Sequence, residues 1–183
     1  MRLFVGIPLA QAVVDELTRL TTRLRAKDDG LRWTLPESWH ITLQFLGNTE
    51  RDPYECVLAR LGEIHLPPLT IRLGILGFFD RAGIFFAGLH PSGELTALER
   101  HVVAATTLCG FTPETRPYHP HITLARSKGK AGDQGLRRLK SHVHGPTHFP
   151  HFVANEFLLY ESQPTPTGSH YEVRQRFRLA PRD

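Results

Sequence analysis

The sequence predicts a mixed helix-and-strand protein of two similar lobes, and two observations carry that expectation. The tetrapeptide His-Ile-Thr-Leu stands at His40–Leu43 and again, letter for letter, at His121–Leu124. Around each copy the same order recurs: a strand, a helix, then the strand that bears the motif. Set at a constant offset, Leu3–Pro8 falls on Ile84–Leu89, and Val14 and Leu17 fall on Leu95 and Leu98, the trace an internal duplication leaves.

Arg2–Ile7 reads as a strand closed by Pro8, since the residue before a proline is driven to extended backbone. A helix over Leu9–Ala26 aligns Val13, Val14, Leu17, Leu20 and Leu24 on one stripe. Pro36-Glu37 marks a turn before a strand at Trp39–Leu46, which Gly47-Asn48 ends. Asp52–Ile64 is a second helix with Tyr54, Val57, Leu58 and Leu61 inward, stopped before Pro67-Pro68. Strands at Leu69–Phe78 and Gly83–Leu89 meet in a turn near Asp80-Arg81. The helix Gly93–Cys109, with Ser92 as N-cap, turns Leu95, Leu98, Val102 and Ala105 inward and ends at Gly110. His119–Arg126 is a strand, Ser127–Gly135 a Gly/Lys-rich loop, and Leu136–Ser141 a short helix. Phe152–Glu161 and Tyr171–Leu179 form a last hairpin with the long connection Gln163–His170.

A chain of 183 residues suits one domain or two small lobes sharing a core, and residues 1–183 are read here as a single bilobal unit. No apolar run reaches the roughly 20 residues of a membrane helix, so no membrane partner is expected. The opening MRLFVGIPLAQA imitates a secretory leader, with Ala10-Gln11-Ala12 in the place of a cleavage site. Gly6, Pro8 and the helical pattern that follows favour a buried strand instead, and the cytoplasm is the expected compartment. Cys56 and Cys109 lie in helices with no CxxC spacing and read as reduced core residues. The formal charge of +4 leans toward a polyanionic partner. The basic clusters Arg137-Arg138-Lys140 and Arg174–Arg178 are solvated faces before they are a nucleic-acid stripe.

Alternation along a strand puts His40 and Thr42 on one face and Ile41, Leu43 and Phe45 on the other; His121 and Thr123 likewise oppose Ile122 and Leu124. Lobes related by a pseudo-two-fold bring both polar faces into one cleft. Two imidazoles and two hydroxyls there suit phosphodiester chemistry. Displacement at phosphorus needs a base on the entering oxygen and an acid on the leaving one, and histidine holds either state near neutral pH. Fixed hydroxyl donors such as Thr42 and Thr123 stabilise the charge gathering on the non-bridging oxygens. About one H-x-T is expected by chance in such a chain, so the weight rests on the repeated tetrapeptide.

The segments RLFVGIPL, LRWTLPESWHITLQFLG and RPYHPHITLAR resemble the bacterial and archaeal RNA 2′,3′-cyclic phosphodiesterases, historically called 2′-5′ RNA ligases, of the two-histidine phosphoesterase superfamily. The resemblance runs from the first residues to at least Arg126. It implies an α+β fold of two antiparallel sheets facing a central cleft with helices outside. It also implies metal-independent hydrolysis of 2′,3′-cyclic RNA ends to 2′-phosphates, with 2′-5′ ligation as a second activity. By the family's pattern His40 is the proton donor to the departing 3′ oxygen, His121 the acceptor that activates water, and Thr42 and Thr123 hold the phosphate.

Arg126 follows the second motif and is a candidate phosphate ligand, although strand parity sets it opposite His121 unless the strand ends first. His119 shares the parity of His121, with a surface role as the alternative. His101 and His151 could join His119 and His121 at a metal, and His142, His144, His148 and His151 could form a surface site. No Cys or carboxylate has zinc spacing, so no metal and no cofactor is expected. Trp33, Trp39, Phe78 and Phe79 could stack on a base or simply pack. An RNA-end binding module without turnover and a metal-dependent hydrolase are the competing readings. A monomer is the expected state.

Overall fold

In the computed structural model, residues 1–143, 147–165 and 168–181 are described. The elements run β1 (Arg2–Pro8), α1 (Gln11–Leu24), β2 (Leu31–Trp33), β3 (His40–Asn48), α2 (Arg51–Gly62), β4 (Leu69–Ile71), β5 (Leu73–Phe79), β6 (Ile84–Leu89), α3 (Gly93–Thr107), β7 (His121–Ser127), α4 (Gly129–His142), β8 (Phe152–Ala154), β9 (Glu156–Thr165) and β10 (Gly168–Arg178). Two four-stranded antiparallel sheets result, ordered β10-β9-β1-β3 and β2-β7-β6-β5, beside the small β4-β8 pair. The expected two-sheet architecture with four helices is therefore present, and β1–β3 in one sheet repeats as β6–β7 in the other.

The apolar face of each sheet feeds one core. Ile7, Ile41 and Leu43 from the first sheet join Phe85, Ile122 and Leu124 from the second, together with Val13 and Leu17 of α1, Leu61 of α2, Leu98 of α3 and Leu139 of α4. Ser92 caps α3 as its sequence suggests, accepting the Leu95 N–H at 3.0 Å. A buried polar pair ties α3 to β3, where Thr106 Oγ1 donates to Gln44 Oε1 at 2.6 Å. The segment that imitates a leader is β1, buried between β9 and β3. Among the described residues no helix is long and apolar enough to cross a membrane.

Several boundaries differ from expectation for physical reasons. The apolar run from Leu69 is two strands, because Leu69–Ile71 pairs with β8 while Leu73–Phe79 joins β6 in the large sheet. A continuous hydrophobic pattern gives no sign of a change of partner. The second run divides similarly at Asn155, whose carbonyl accepts from Leu179 N–H. The Gly/Lys stretch expected as a loop is the start of α4. Its glycines mark close packing: a Cβ on Gly132 or Gly135 would collide with Ser127 and the carbonyls of Gly30 and Asp29. The hairpin connection is shorter than expected, since Gly168 pairs with Thr165, and residues 166–167 lie outside the described residues.

The cysteines are the clearest correction. Cys56 and Cys109 are joined in a disulfide, with Cα atoms 5.7 Å apart and a sequence separation of 53. α2 and α3 pack side by side, so thiols with no motif spacing come to face each other. Closing a loop of that length constrains the unfolded chain, and its loss is expected to cost about 2–4 kcal/mol. Urea unfolding of wild type against Cys56→Ser, each with and without reductant, checks this. Reductant should lower the wild-type midpoint and leave the variant's where it was.

Candidate active site

β3 is the edge strand of its sheet and β7 lies between β2 and β6 in the other; the two motif strands touch. The Tyr118 hydroxyl, just ahead of β7, donates to the Thr42 carbonyl at 3.0 Å and so satisfies one open group on the edge of β3. His40, Thr42, His121 and Thr123 are partly exposed while Ile41, Leu43, Ile122 and Leu124 are buried, which is the alternation expected of the motifs.

Beyond the motifs the alternation breaks, in the same place in both halves. Val5 pairs with Gln44 and Gly6 with Thr42, leaving Leu43 over; Phe85 pairs with Ala125 and Phe86 with Thr123, leaving Leu124 over. An extra residue reverses the facing of everything after it. Leu43 and Gln44 are thus buried in succession, as are Leu124 and Ala125. Two expectations change as a result. Phe45, assigned to the core by parity, is 70% exposed. Arg126, set opposite His121 by parity, is exposed on the His121 side, and its charge acts on both His121 and His40.

The two histidines are held alike. His40 Nδ1 lies 2.9 Å from the Ser38 carbonyl and His121 Nδ1 lies 2.7 Å from the His119 carbonyl. A carbonyl only accepts, so each Nδ1 carries the hydrogen and each Nε2 is left for the groove. His40 Nε2 is 3.0 Å from the Thr42 hydroxyl. Around His40 stand Phe4 at 4.6 Å, Tyr171 at 5.2 Å and Tyr160 at 5.8 Å between ring centroids. Around His121 stand Phe79 at 5.0 Å and Phe86 at 5.3 Å, stacked on each other.

Gly6 explains one asymmetry. It occupies in β1 the register that Phe86 occupies in β6, opposite the motif threonine. The strands therefore superpose one residue away from the constant offset of the sequence comparison. A Cβ on Gly6 would lie 2.9 Å from the Ile41 carbonyl and 3.4 Å from the His40 ring, so the position must be bare for His40 to lie where it does.

These surroundings set the electrostatics. Burial pushes His40 down to about 4; the Ser38 carbonyl opposes it, and the charges of His121 and Arg126 push the same way as burial. His121 is also lowered, mainly by burial, with His119 and Arg126 adding and the His119 carbonyl opposing. Arg126 is lowered by burial and by Arg32 but raised by Tyr171, which stands on the opposite sheet. Free of ligand at neutral pH, the groove holds two neutral imidazoles beside a guanidinium.

His119 is exposed and its ring lies 6.3 Å from that of His121, so it borders the groove. Trp33 packs on Phe85 and donates to Asp29 at 2.9 Å, and Trp39 is buried. Phe78 stacks on core Phe85, whereas Phe79 faces His121. His142 bonds back to the Arg138 carbonyl, His148 and His151 are exposed, and His144 lies outside the described residues. Among the described residues no group of three or more His, Cys, Asp or Glu side chains could hold a metal ion. The basic clusters are partly paired, Lys140 with Asp80, Arg174 with Glu161 and Glu172, Arg176 with Glu156. Phe4, Tyr118, Tyr160, Tyr171 and Phe86 were not singled out in the sequence; only the matching apolar runs of β1 and β6 hinted at Phe4 and Phe86.

The model of the 2′-5′ RNA ligase superfamily matches residues 9–166. An RNA 2′,3′-cyclic phosphodiesterase of Bacillus subtilis is 28% identical over 179 residues, covering 93% of this chain and 92% of its own. One of Aeropyrum pernix is 33% identical over 131 residues, covering 69% and 74%. Among solved structures, a Thermus thermophilus protein superposes with a TM-score of 0.81 at 27% identity, covering 100% of both chains.

Proposed function

Because the chain belongs to the 2′-5′ RNA ligase superfamily, we propose that it is a metal-independent RNA 2′,3′-cyclic phosphodiesterase. It acts on RNA or oligonucleotides ending in a 2′,3′-cyclic phosphate and leaves a 2′-phosphomonoester. Relatives of that name matching along most of the chain support the activity. The observation that carries the chemistry is the matched pair of imidazoles, each anchored by Nδ1 to a backbone carbonyl and near enough that His121 acts electrostatically on His40.

In this reading His121 Nε2 takes a proton from water as the water oxygen bonds to phosphorus. The bond from phosphorus to the 3′ oxygen breaks, and that oxygen takes a proton from His40 Nε2. Turnover ends with His121 protonated and His40 neutral, and exchange with solvent resets both. His40 must first gain a proton, which its resting environment disfavours. An anionic phosphodiester supplies the opposite charge that raises both imidazoles, so proton uptake accompanies binding. The Thr42 hydroxyl, beside Nε2 in the free protein, then turns to a non-bridging oxygen. Thr123 and the Arg126 guanidinium take the others. A 5′-hydroxyl entering in place of water would form a 2′-5′ linkage, and we extend the proposal to that ligase reaction.

We further propose that the halves act as one bilobal unit, as a monomer, in the cytoplasm. The Cys56–Cys109 bridge weighs against that compartment, since reducing conditions disfavour disulfides. The test is a short RNA with a 2′,3′-cyclic end, incubated in EDTA, with the phosphate position read by mass spectrometry. A 2′-phosphate is expected. A 3′-phosphate refutes the role given to His40, loss of turnover in EDTA points to a metal enzyme, and binding without product points to an RNA-end binding module.

A further inference from the structure

The short strand β2 leaves the first half of the chain to lie along β7. Leu31 is buried and Trp33 packs on Phe85, so Arg32 between them is turned to the opposite face, toward the groove, and is exposed. It stands directly across the ladder from Arg126, and the two charges act on each other. Like charges so placed are destabilising. Other arginines are paired, Arg19 with Glu16 and Arg51 with Glu55. Among the described residues neither Arg32 nor Arg126 has a carboxylate partner. Two guanidiniums held side by side without an acid call for anions from outside the chain.

A single cyclic phosphate does not balance them. It is a diester with one negative charge, which Arg126 meets in the reaction above. We propose that Arg32 holds the phosphodiester joining the terminal nucleotide to the one before it, so that the groove grips an RNA end by two successive phosphates. This rests on the phosphodiesterase reading above. Arg126 is on the strand of His121, and Arg32 is one strand further out. Neighbouring strands lie about 4.8 Å apart, and two long side chains splayed from them reach phosphates one nucleotide apart. Each guanidinium offers a planar fork of donors to a pair of phosphate oxygens. A contact to the backbone carries no base preference. It selects a substrate class instead: an oligonucleotide end over a free nucleoside 2′,3′-cyclic phosphate, which has no second phosphate to offer.

The experiment uses trinucleotides ending in a 2′,3′-cyclic phosphate. An uncharged methylphosphonate replaces either the linkage next to the terminal nucleotide or the linkage before that. In wild type the charge at the adjacent linkage should raise kcat/KM about tenfold, mainly through KM, as a hydrogen bond to a charged group does. In Arg32→Ala that factor should shrink to near one, and Arg32→Lys should restore part of it. Each factor is a ratio within one protein, so a loss of folded protein cancels. Wild-type indifference to the adjacent charge overturns the proposal. So does an equal effect at both linkages, which marks a general positive field, and so does a factor that survives in Arg32→Ala. If wild type turns over none of the substrates, the phosphodiesterase reading falls. Titration of the same trinucleotides ending in a 2′-phosphate then still reads the contact, and an adjacent charge felt alike by wild type and Arg32→Ala refutes it.

Discussion

Replacing His40 or His121 by alanine is expected to lower kcat on a 2′,3′-cyclic substrate by about 1000-fold or more, while the thermal midpoint moves by a few degrees at most. A positioned acid or base contributes roughly 100- to 10,000-fold each, and in this groove no neighbour can stand in. Tyr160, whose ring lies 5.8 Å from that of His40, is pushed up by burial and so stays protonated. His119 lies next to His121, but its ring is 6.3 Å away and exposed. The fold should survive because both imidazoles line the groove, whereas the core beneath them is Ile41, Leu43, Ile122 and Leu124. The double variant should be scarcely slower than either single one, since the two act at opposite ends of one displacement, in one step. Steady-state kinetics with circular dichroism on the same samples checks this. Near-wild-type rates in either single variant would remove that histidine from the chemistry.

The repeated tetrapeptide made the central residues legible, because alternation along a strand is a local property and both motifs obey it. The extra residues after them were not legible. Whether Leu43 or Leu124 pairs across the ladder depends on how β1 and β6 lie beside them, and neither partner is adjacent in sequence. Phe45 and Arg126 were misplaced for that one reason. β2 illustrates a second limit: Leu31–Trp33 leaves its own half to pair with β7, and three residues carry too little periodicity to announce a strand. The Tyr171 ring reaches His40 from the far end of the chain, on a strand whose alternation matches any exposed hairpin. Glycine misled at α4, where the residues that break helices in isolation are those that let the helix lie against Gly30 and Asp29.

The same burial that prepares His40 for its work should tax the folded state in acid, by an amount that can be read directly. In the unfolded chain the ring titrates near 6.5; in the folded protein it is pushed down to about 4. Above 6.5 neither state binds the proton, and His40 makes no contribution to the pH dependence. As pH falls through 6.5 the unfolded chain takes up a proton that the folded one refuses, and folded stability drops until about 4, where both are protonated. Between pH 7.5 and pH 5 this amounts to about 2 kcal/mol, with His121 adding in the same direction. His40→Gln removes the titrating group, so its stability should decline less over that interval by about 2 kcal/mol, whatever the substitution does at pH 7.5. Urea unfolding of both proteins at the two pH values measures the difference. Parallel declines would mean that the folded ring titrates like a free one. In that case Phe4, Tyr160 and Tyr171 do not enclose it, and His40 would need no anionic substrate to acquire its proton.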